Sequence, residues 1–118
     1  MEKSIITTAS RGIMPARWAS INEWSKHLVR MSGTSMLPKF DNGDILACRR
    51  IDKITFFQWG EVYVINTRQG ELVQKVFPDK DNPDNILCVS ENKANFPPFS
   101  LPKSEILSLS LVIGHAGM

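Results

Sequence analysis

The chain has 118 residues, enough for one domain with a hydrophobic core but too few for two. Its apolar content of 42% and charged content of 22% are typical of a globular protein and argue against a disordered chain. A net charge of +2, with Arg49–Arg50 as the only adjacent basic pair, excludes a strongly basic nucleic-acid-binding surface.

The cysteines and the N-terminus both favour a cytoplasmic protein. Cys48 and Cys88 lie in separate apolar runs without CxxC spacing or companion histidines, which favours two buried, reduced thiols and leaves a disulfide between them open. No apolar run reaches the length of a membrane span, and Ile5–Ile6 is too brief for a signal peptide. We expect no metal, no cofactor and no membrane partner.

Residues 1–27 are predicted to form an N-terminal arm or linker. Gly12 and Pro15 interrupt any helix in its first part. From Arg17 to Leu28 the apolar residues recur at steps of three and four, as in a short helix or turn that packs one face on the body. These residues are Trp18, Ile21, Trp24 and Leu28.

Residues 28–118 are predicted to form the main domain, which is mostly β, with short strands, hairpins and little helix. Strands are expected near residues 27–31, 44–50, 61–66, 71–77, 86–89 and 106–114. The turn residues Thr67–Gly70 join the third and fourth strands into a β-hairpin. Residues 91–98 are assigned to a loop, because Pro97–Pro98 excludes a helix.

Residues 32–46, SGTSMLPKFDNGDIL, place Ser35 on a constrained loop that leads into a strand. Short hydroxyl side chains and Gly33 disfavour a helix, and Pro38 keeps the preceding residue out of the helical region. Asp41–Asp44 has the composition of a tight turn. Such a loop can display a nucleophile, although most serines in loops of this kind are only turn residues.

Lys75 lies in the return strand of the hairpin, where side chains alternate between the two faces. Val73 and Phe77 therefore share its face. The pattern alone favours an edge strand from which the ammonium extends to water. The alternative is a desolvated lysine that acts as a general base. An ordinary lysine, with a pKa of about 10.4, is neutral in fewer than roughly one molecule in a thousand at pH 7, and burial lowers that pKa by up to about 3–5 units.

A serine nucleophile needs a base, and the histidines are weak candidates for that role. His27 lies in a short packed stretch and His115 follows Gly114 near the C-terminus. Neither has a motif around it, so we expect both to be surface or structural residues. A Ser–Lys pair is therefore preferred to a Ser–His–Asp triad.

Three stretches, SGTSMLPKFDNGDIL, GEVYVI and ELVQKVF, resemble the catalytic domain of LexA/UmuD-type self-cleaving peptidases and phage repressors. The match falls on Ser35–Met36, Pro38, Gly43–Asp44 and Lys75, which follows Ser35 by forty positions, and it covers residues 28–114. The resemblance implies a LexA/signal-peptidase-like fold with Ser35 as nucleophile and Lys75 as general base. It also implies that Gly33 and Met36 support the loop and its oxyanion-binding N–H groups.

The same resemblance implies the C-terminal domain of a repressor, which cuts its own linker in response to DNA damage. Its partners would be a second copy and a RecA–single-strand DNA filament, and DNA would be bound only through a separate N-terminal domain. The alternatives are a non-cleaving dimerisation module, a UmuD-like polymerase accessory protein and a signal-peptidase-like enzyme, the last disfavoured without an anchor. The family cuts at Ala-Gly or Cys-Gly, and neither dipeptide precedes Ser35.

Overall fold

The computed structural model describes residues 26–52 and 56–117, which build one seven-stranded antiparallel sheet. The strands are β1 Lys26–Arg30, β2 Ile45–Arg50, β3 Val62–Thr67, β4 Gly70–Pro78, β5 Asn85–Val89, β6 Phe99–Pro102 and β7 Ile106–Ala116. A short 3₁₀ turn, Lys103–Glu105, precedes β7. The predicted mostly-β fold with little helix is confirmed.

The final strand joins two parts of the sheet. Across the sheet the order is β1-β2-β7-β3-β4-β5-β6, so β7 pairs with β2 on one side and β3 on the other. The register shifts between Ala47 and Cys48 in β2, and between Asn66 and Thr67 in β3. Such bulges bend and twist the strands that carry them, which lets the sheet curl.

The β3–β4 hairpin agrees with the prediction from the sequence. Thr67 pairs with Gly70, so Arg68 and Gln69 alone form the connection. The Thr67 hydroxyl donates to the Gly70 carbonyl at 2.9 Å and accepts from the Gln69 N–H at 3.1 Å. This side-chain clamp fixes the register of the hairpin, and the register decides which face each residue of β4 occupies.

Strand β3 is buried on both sides, because hydrophobic residues pack on both faces of the sheet. Val62 and Val64 belong to one cluster, whereas Tyr63 and Ile65 belong to the other. We call the first cluster the Met36 core; it contains Met31, Met36, Phe40, Leu46, Cys48, Val62, Val64 and Val73. The second is the Tyr63 core; it contains Phe57, Tyr63, Ile65, Val76, Ile86, Cys88, Leu101, Leu109 and Leu111.

Three details differ from the sequence prediction. The edge strand β6 was not expected; only Leu101 of its four residues is buried, and prolines stand before and within it. The edge-strand interpretation of Lys75 is wrong, because β4 lies between β3 and β5. Of the helix predicted over residues 17–28, the last three residues belong to β1 and the others lie outside the described residues.

Both cysteines are buried free thiols, as expected. They sit in different cores, and burial raises the pKa of each thiol to about 12.

His27 is half-buried with its Nε2 atom 3.3 Å from the Ser110 hydroxyl, and burial and the Arg50 charge lower its pKa. His115 is exposed and packs edge-on against Phe40. In the described part of the chain, no helix is long and apolar enough to span a membrane.

Ile65 in β3 has no exposed surface, whereas Leu107 in β7 is 60% exposed. We expect Ile65→Ala to lower the free energy of unfolding by about 2–5 kcal/mol, because it removes buried methyl groups and leaves a cavity. Leu107→Ala, the matched surface change, should alter it by less than about 0.5 kcal/mol. Urea denaturation measures both, and equal effects would contradict the assigned faces of the sheet.

Candidate functional site

Ser35 lies on the loop between β1 and β2, residues 31–44, which we call the Ser35 loop. Backbone hydrogen bonds close its base: the Met31 N–H donates to the Asp44 carbonyl at 2.7 Å, and the Gly43 N–H donates to the Met31 carbonyl at 2.8 Å. The predicted tight turn is present, with the Asp44 N–H donating to the Asp41 carbonyl at 3.1 Å. The loop is therefore held at both ends.

Gly33 lets the chain turn just before Ser35. Its φ of 89° is in the left-handed region, which residues with a side chain rarely adopt. The Gly33 N–H donates to the Asn42 side-chain oxygen at 2.9 Å, which ties the start of the loop to its end. A Cβ at this position would meet no atom within 4 Å, so backbone conformation alone demands the glycine.

Met36 anchors the loop to the sheet. Its side chain is fully buried in the Met36 core, where it packs with residues of β3 and β4, and its carbonyl accepts a 2.9 Å hydrogen bond from the Phe40 N–H. Ser35 itself is partly exposed. A partly exposed hydroxyl beside a buried anchor is positioned by packing yet open to another molecule.

Lys75 lies on the sheet face that the Ser35 loop covers. It is opposite Val62 in β3, and it lies two residues from Val73 in β4. Both valines belong to the Met36 core. Because residues opposite each other or two apart share a face, Lys75 points to the side where Met36 packs. Its side chain is 20% exposed, and its Nζ lies 2.7 Å from a carboxylate oxygen of Glu91.

Three consecutive residues after β5, Ser90, Glu91 and Asn92, connect the Lys75 strand to the Ser35 loop; we call them the Ser90–Asn92 bridge. The buried Ser90 hydroxyl donates to the buried Gln74 side-chain oxygen at 3.0 Å. Glu91 pairs with Lys75. The Asn92 N–H donates to the Ser35 carbonyl at 3.0 Å, and its side-chain amide donates to the Thr34 carbonyl at 3.1 Å.

The structure thus brings both predicted site residues against the same short segment. Ser35 contacts Asn92 and Lys75 contacts Glu91. Over residues 26–52 and 56–117, no hydrogen bond joins the Ser35 hydroxyl to the Lys75 amine. Glu91 and Asn92 were missed from the sequence, where they fell within a predicted loop. The feature that locates Glu91 is the pairing register of β4 and β5. Val89 lies opposite Lys75, so Glu91, two residues after Val89, lies on the same face of the sheet as Lys75.

The Glu91 carboxylate is stabilised by surrounding positive charge. The hydrogen bond from Lys75 is the main reason that the pKa of Glu91 lies below its ordinary value of 4.5. The charges of Lys75, Lys39 and Lys93 act in the same direction, while partial burial opposes them. Among the residues described, no three His, Cys, Asp or Glu side chains meet as a metal site.

A shallow cavity lies on the same side of the sheet as Lys75. Its volume is about 160 Å³, and its lining includes Val62, which is the residue opposite Lys75. Phe40 and Val112 supply further apolar surface, and Lys39 and Glu61 supply charge. Neither Ser35 nor Lys75 lines this cavity, which adjoins the candidate site through Val62 and through Phe40 of the Ser35 loop.

Asn92→Ala should loosen the Ser35 loop, because it removes the side-chain hydrogen bond to Thr34. We expect a loss of about 0.5–1.5 kcal/mol of stability and faster amide exchange at Leu37 and at the residue 92 N–H. Asn95→Ala is the control, because the exposed Asn95 side chain has no partner among the described residues. Unchanged exchange in the first variant would contradict the bridging role of Asn92.

Glu91 should make stability depend on pH under acidic conditions. Its folded-state pKa is lowered, so its contribution is complete above its ordinary pKa of 4.5 and is lost as the pH falls through the folded-state value. Urea denaturation from pH 7 to about pH 3 should give a flatter stability curve for Glu91→Gln than for the wild type. Parallel curves would mean that the Lys75–Glu91 pair does not persist in solution.

Comparison with known proteins supports one family. The family model described as "Peptidase S24-like" matches residues 10–112, which include Ser35, Lys75 and the Ser90–Asn92 bridge. A comparison with curated protein sequences finds no match. Because the match spans most of the chain and both candidate residues, the chain belongs to the Peptidase S24-like family.

Proposed function

We propose that the protein is a serine peptidase in which Ser35 is the nucleophile and Lys75 the general base. The Ser90–Asn92 bridge carries this proposal, because its Asn92 contacts the Ser35 backbone and its Glu91 contacts the Lys75 ammonium. Membership of a peptidase family supports the same assignment. Neither histidine contacts Ser35 within the described residues, so no rival base is indicated there.

The proposed reaction begins when the neutral amine of Lys75 takes the Ser35 hydroxyl proton while the Ser35 oxygen attacks a peptide carbonyl carbon. The tetrahedral intermediate collapses, and the Lys75 ammonium returns the proton to the leaving amine. A water molecule then gives a proton to the Lys75 amine as its oxygen attacks the acyl carbon, which forms a second tetrahedral intermediate. The bond between this carbon and the Ser35 oxygen breaks, the new carboxyl end leaves, and the Lys75 ammonium returns its proton to the Ser35 oxygen.

Backbone N–H groups of the Ser35 loop would stabilise the oxyanion. Those of Ser35 and Met36 make no hydrogen bond to any other described residue, so they are free to donate to a negatively charged oxygen. Gly33 and the buried Met36 side chain support this role by fixing the backbone on either side. Preorganised donors of this type act without reorganising during the reaction.

For the substrate, we propose a linker on the N-terminal side of this domain in the same protein, cut when DNA damage produces a RecA–single-strand DNA filament. The domain would then be the C-terminal part of a LexA-like or phage-type repressor that dimerises through this unit. The support is the family match together with the SGTSMLPKFDNGDIL stretch around Ser35. DNA binding would belong to a separate domain, and the protein would act in the cytoplasm.

The second candidate is a dimerisation module of a repressor that no longer cuts. One observation favours it: Lys75 is paired with Glu91 and does not contact the Ser35 hydroxyl. The absence of Ala-Gly and Cys-Gly between residues 1 and 35 is in keeping with it. Such a module would keep the fold and the self-association but show no peptide-bond cleavage.

The test uses a longer form of the protein that carries its upstream segment, incubated between about pH 7 and pH 10, where more lysine is neutral. We expect a single cut upstream of the domain, faster at alkaline pH and with activated filament. Ser35→Ala and Lys75→Met should each abolish it, because each removes one member of the pair. Gel electrophoresis and mass spectrometry measure the cut.

Two matched controls belong to this test. Ser32→Ala changes an exposed serine of the same loop, and Lys103→Met changes an exposed lysine before β7. Both should cut at the wild-type rate. Cleavage that survives Ser35→Ala or Lys75→Met would disprove the assignment. A wild-type protein that never cuts but sediments as a dimer would favour the second candidate.

A further inference from the structure

The Lys75–Glu91 ion pair bears directly on the proposed chemistry, since a lysine base must be neutral when it accepts a proton. The Glu91 carboxylate lies 2.7 Å from the Lys75 Nζ, and both side chains are partly shielded, at 26% and 20% exposure. This charge-assisted contact holds the Lys75 Nζ on Glu91, and among the described residues no hydrogen bond joins that nitrogen to the Ser35 hydroxyl. The contact therefore occupies the nitrogen that the reaction requires.

We propose that Glu91 is a positioning residue that competes with Ser35 for Lys75, so that Lys75 becomes a base only when this ion pair opens. The inference rests on the proposed function of Ser35 and Lys75. In the closed state Glu91 holds the ammonium. In the open state the carboxylate moves away, the ammonium releases one proton to solvent, and the free amine can face the Ser35 hydroxyl.

The placement of Glu91 makes the competition geometrically direct. Ser90, just before it, is tied to Gln74, just before Lys75. Asn92, just after it, is tied to the Ser35 backbone. Glu91 thus lies between one residue tied to the Lys75 strand and one tied to the Ser35 loop, so a loop movement that carries Asn92 with it would pull the carboxylate from Lys75. A peptide that settles against the loop would therefore affect both members of the catalytic pair.

The other charged groups near this pair favour the closed state. Lys39 of the Ser35 loop and Lys93 just beyond the bridge both help to keep Glu91 ionised. In the neighbouring strands, the residues opposite Lys75 are uncharged: Val62 in β3 and Val89 in β5. Glu61 and His115 line the cavity beside Val62. Among these groups, Glu91 is the one in ion-pair contact with Lys75 over the described residues.

Chemical labelling measures how available the Lys75 Nζ is without relying on cleavage. The Ser35→Ala protein is treated with trace acetic anhydride near neutral pH, and acetylation at each lysine is followed by mass spectrometry. Adding Glu91→Gln should raise the acetylation rate at Lys75 about three- to tenfold, since it removes the carboxylate that occupies the Lys75 Nζ. Lys103 serves as the internal reference and should not change, because its Nζ lies over the ring of Phe57, a residue of the Tyr63 core.

In the cleavage-competent protein, Glu91→Gln should lower the pH at which cleavage is half-maximal, whereas Glu91→Asp, which retains a carboxylate, should stay closer to the wild type. Glu105→Gln is the matched control, because Glu105 pairs with Arg68 instead. If Glu91→Gln misfolds, the Lys75→Met protein provides a second test of the ion pair. In that variant the pKa of the Glu91 carboxyl, followed by NMR, should lie closer to its ordinary value of 4.5 than in the wild type.

Four outcomes separate this inference from the proposed function. Unchanged Lys75 acetylation in Glu91→Gln overturns it, as does slower cleavage with an unshifted pH profile, since a merely structural role for Glu91 would give that pattern. Faster acetylation with a lowered cleavage midpoint supports it. Faster acetylation in a protein that never cuts would support control of Lys75 by Glu91 and reject the peptidase assignment.

Discussion

The contacts of three consecutive residues hold the candidate site together. Ser90, Glu91 and Asn92 reach, respectively, the Lys75 strand, the Lys75 ammonium and the Ser35 backbone. Each contact alone is modest, because a single hydrogen bond or partly exposed ion pair contributes little net stability. Together they fix two elements far apart in sequence at one spacing. A site that needs two residues in register depends more on this geometry than on the strength of any one bond.

The two faces of β3 show why this geometry is possible. Strand β3 contributes alternate residues to the Met36 core and to the Tyr63 core. One face therefore receives the Ser35 loop, while the other is sealed by apolar packing. Lys75 lies on the first face, where it is shielded enough to hold an ion pair yet keeps a path to solvent. A lysine in either core would have no such path, and one on an open edge would have no shielding.

The sequence was sufficient for those features that depend on local pattern. The hairpin followed from β-branched runs around Thr67–Gly70, and the Ser35 loop from Gly33, Pro38 and the Asp41–Asp44 turn. Features that depend on pairing between strands distant in the chain could not be predicted from local pattern. Whether β4 is an edge strand is decided by β5, which pairs with it across the polar loop of residues 79–84. Alternation alone does not reveal that neighbour, so the pattern places Lys75 on an edge strand. Glu91 was missed for the same reason, since its partner follows from the β4–β5 register.

The position of β7 has a consequence for when the candidate site can assemble. The Ser35 loop lies between β1 and β2, whereas Lys75 belongs to the β3–β6 part. Among the strands of the described residues, only β7 pairs with both parts. On the ribosome, a nascent chain that has already exposed both residues still lacks the strand that joins their halves of the sheet. The candidate site is therefore completed only after residues 106–116 emerge. Strand order thus makes assembly of the candidate site wait for a pairing that is distant in sequence.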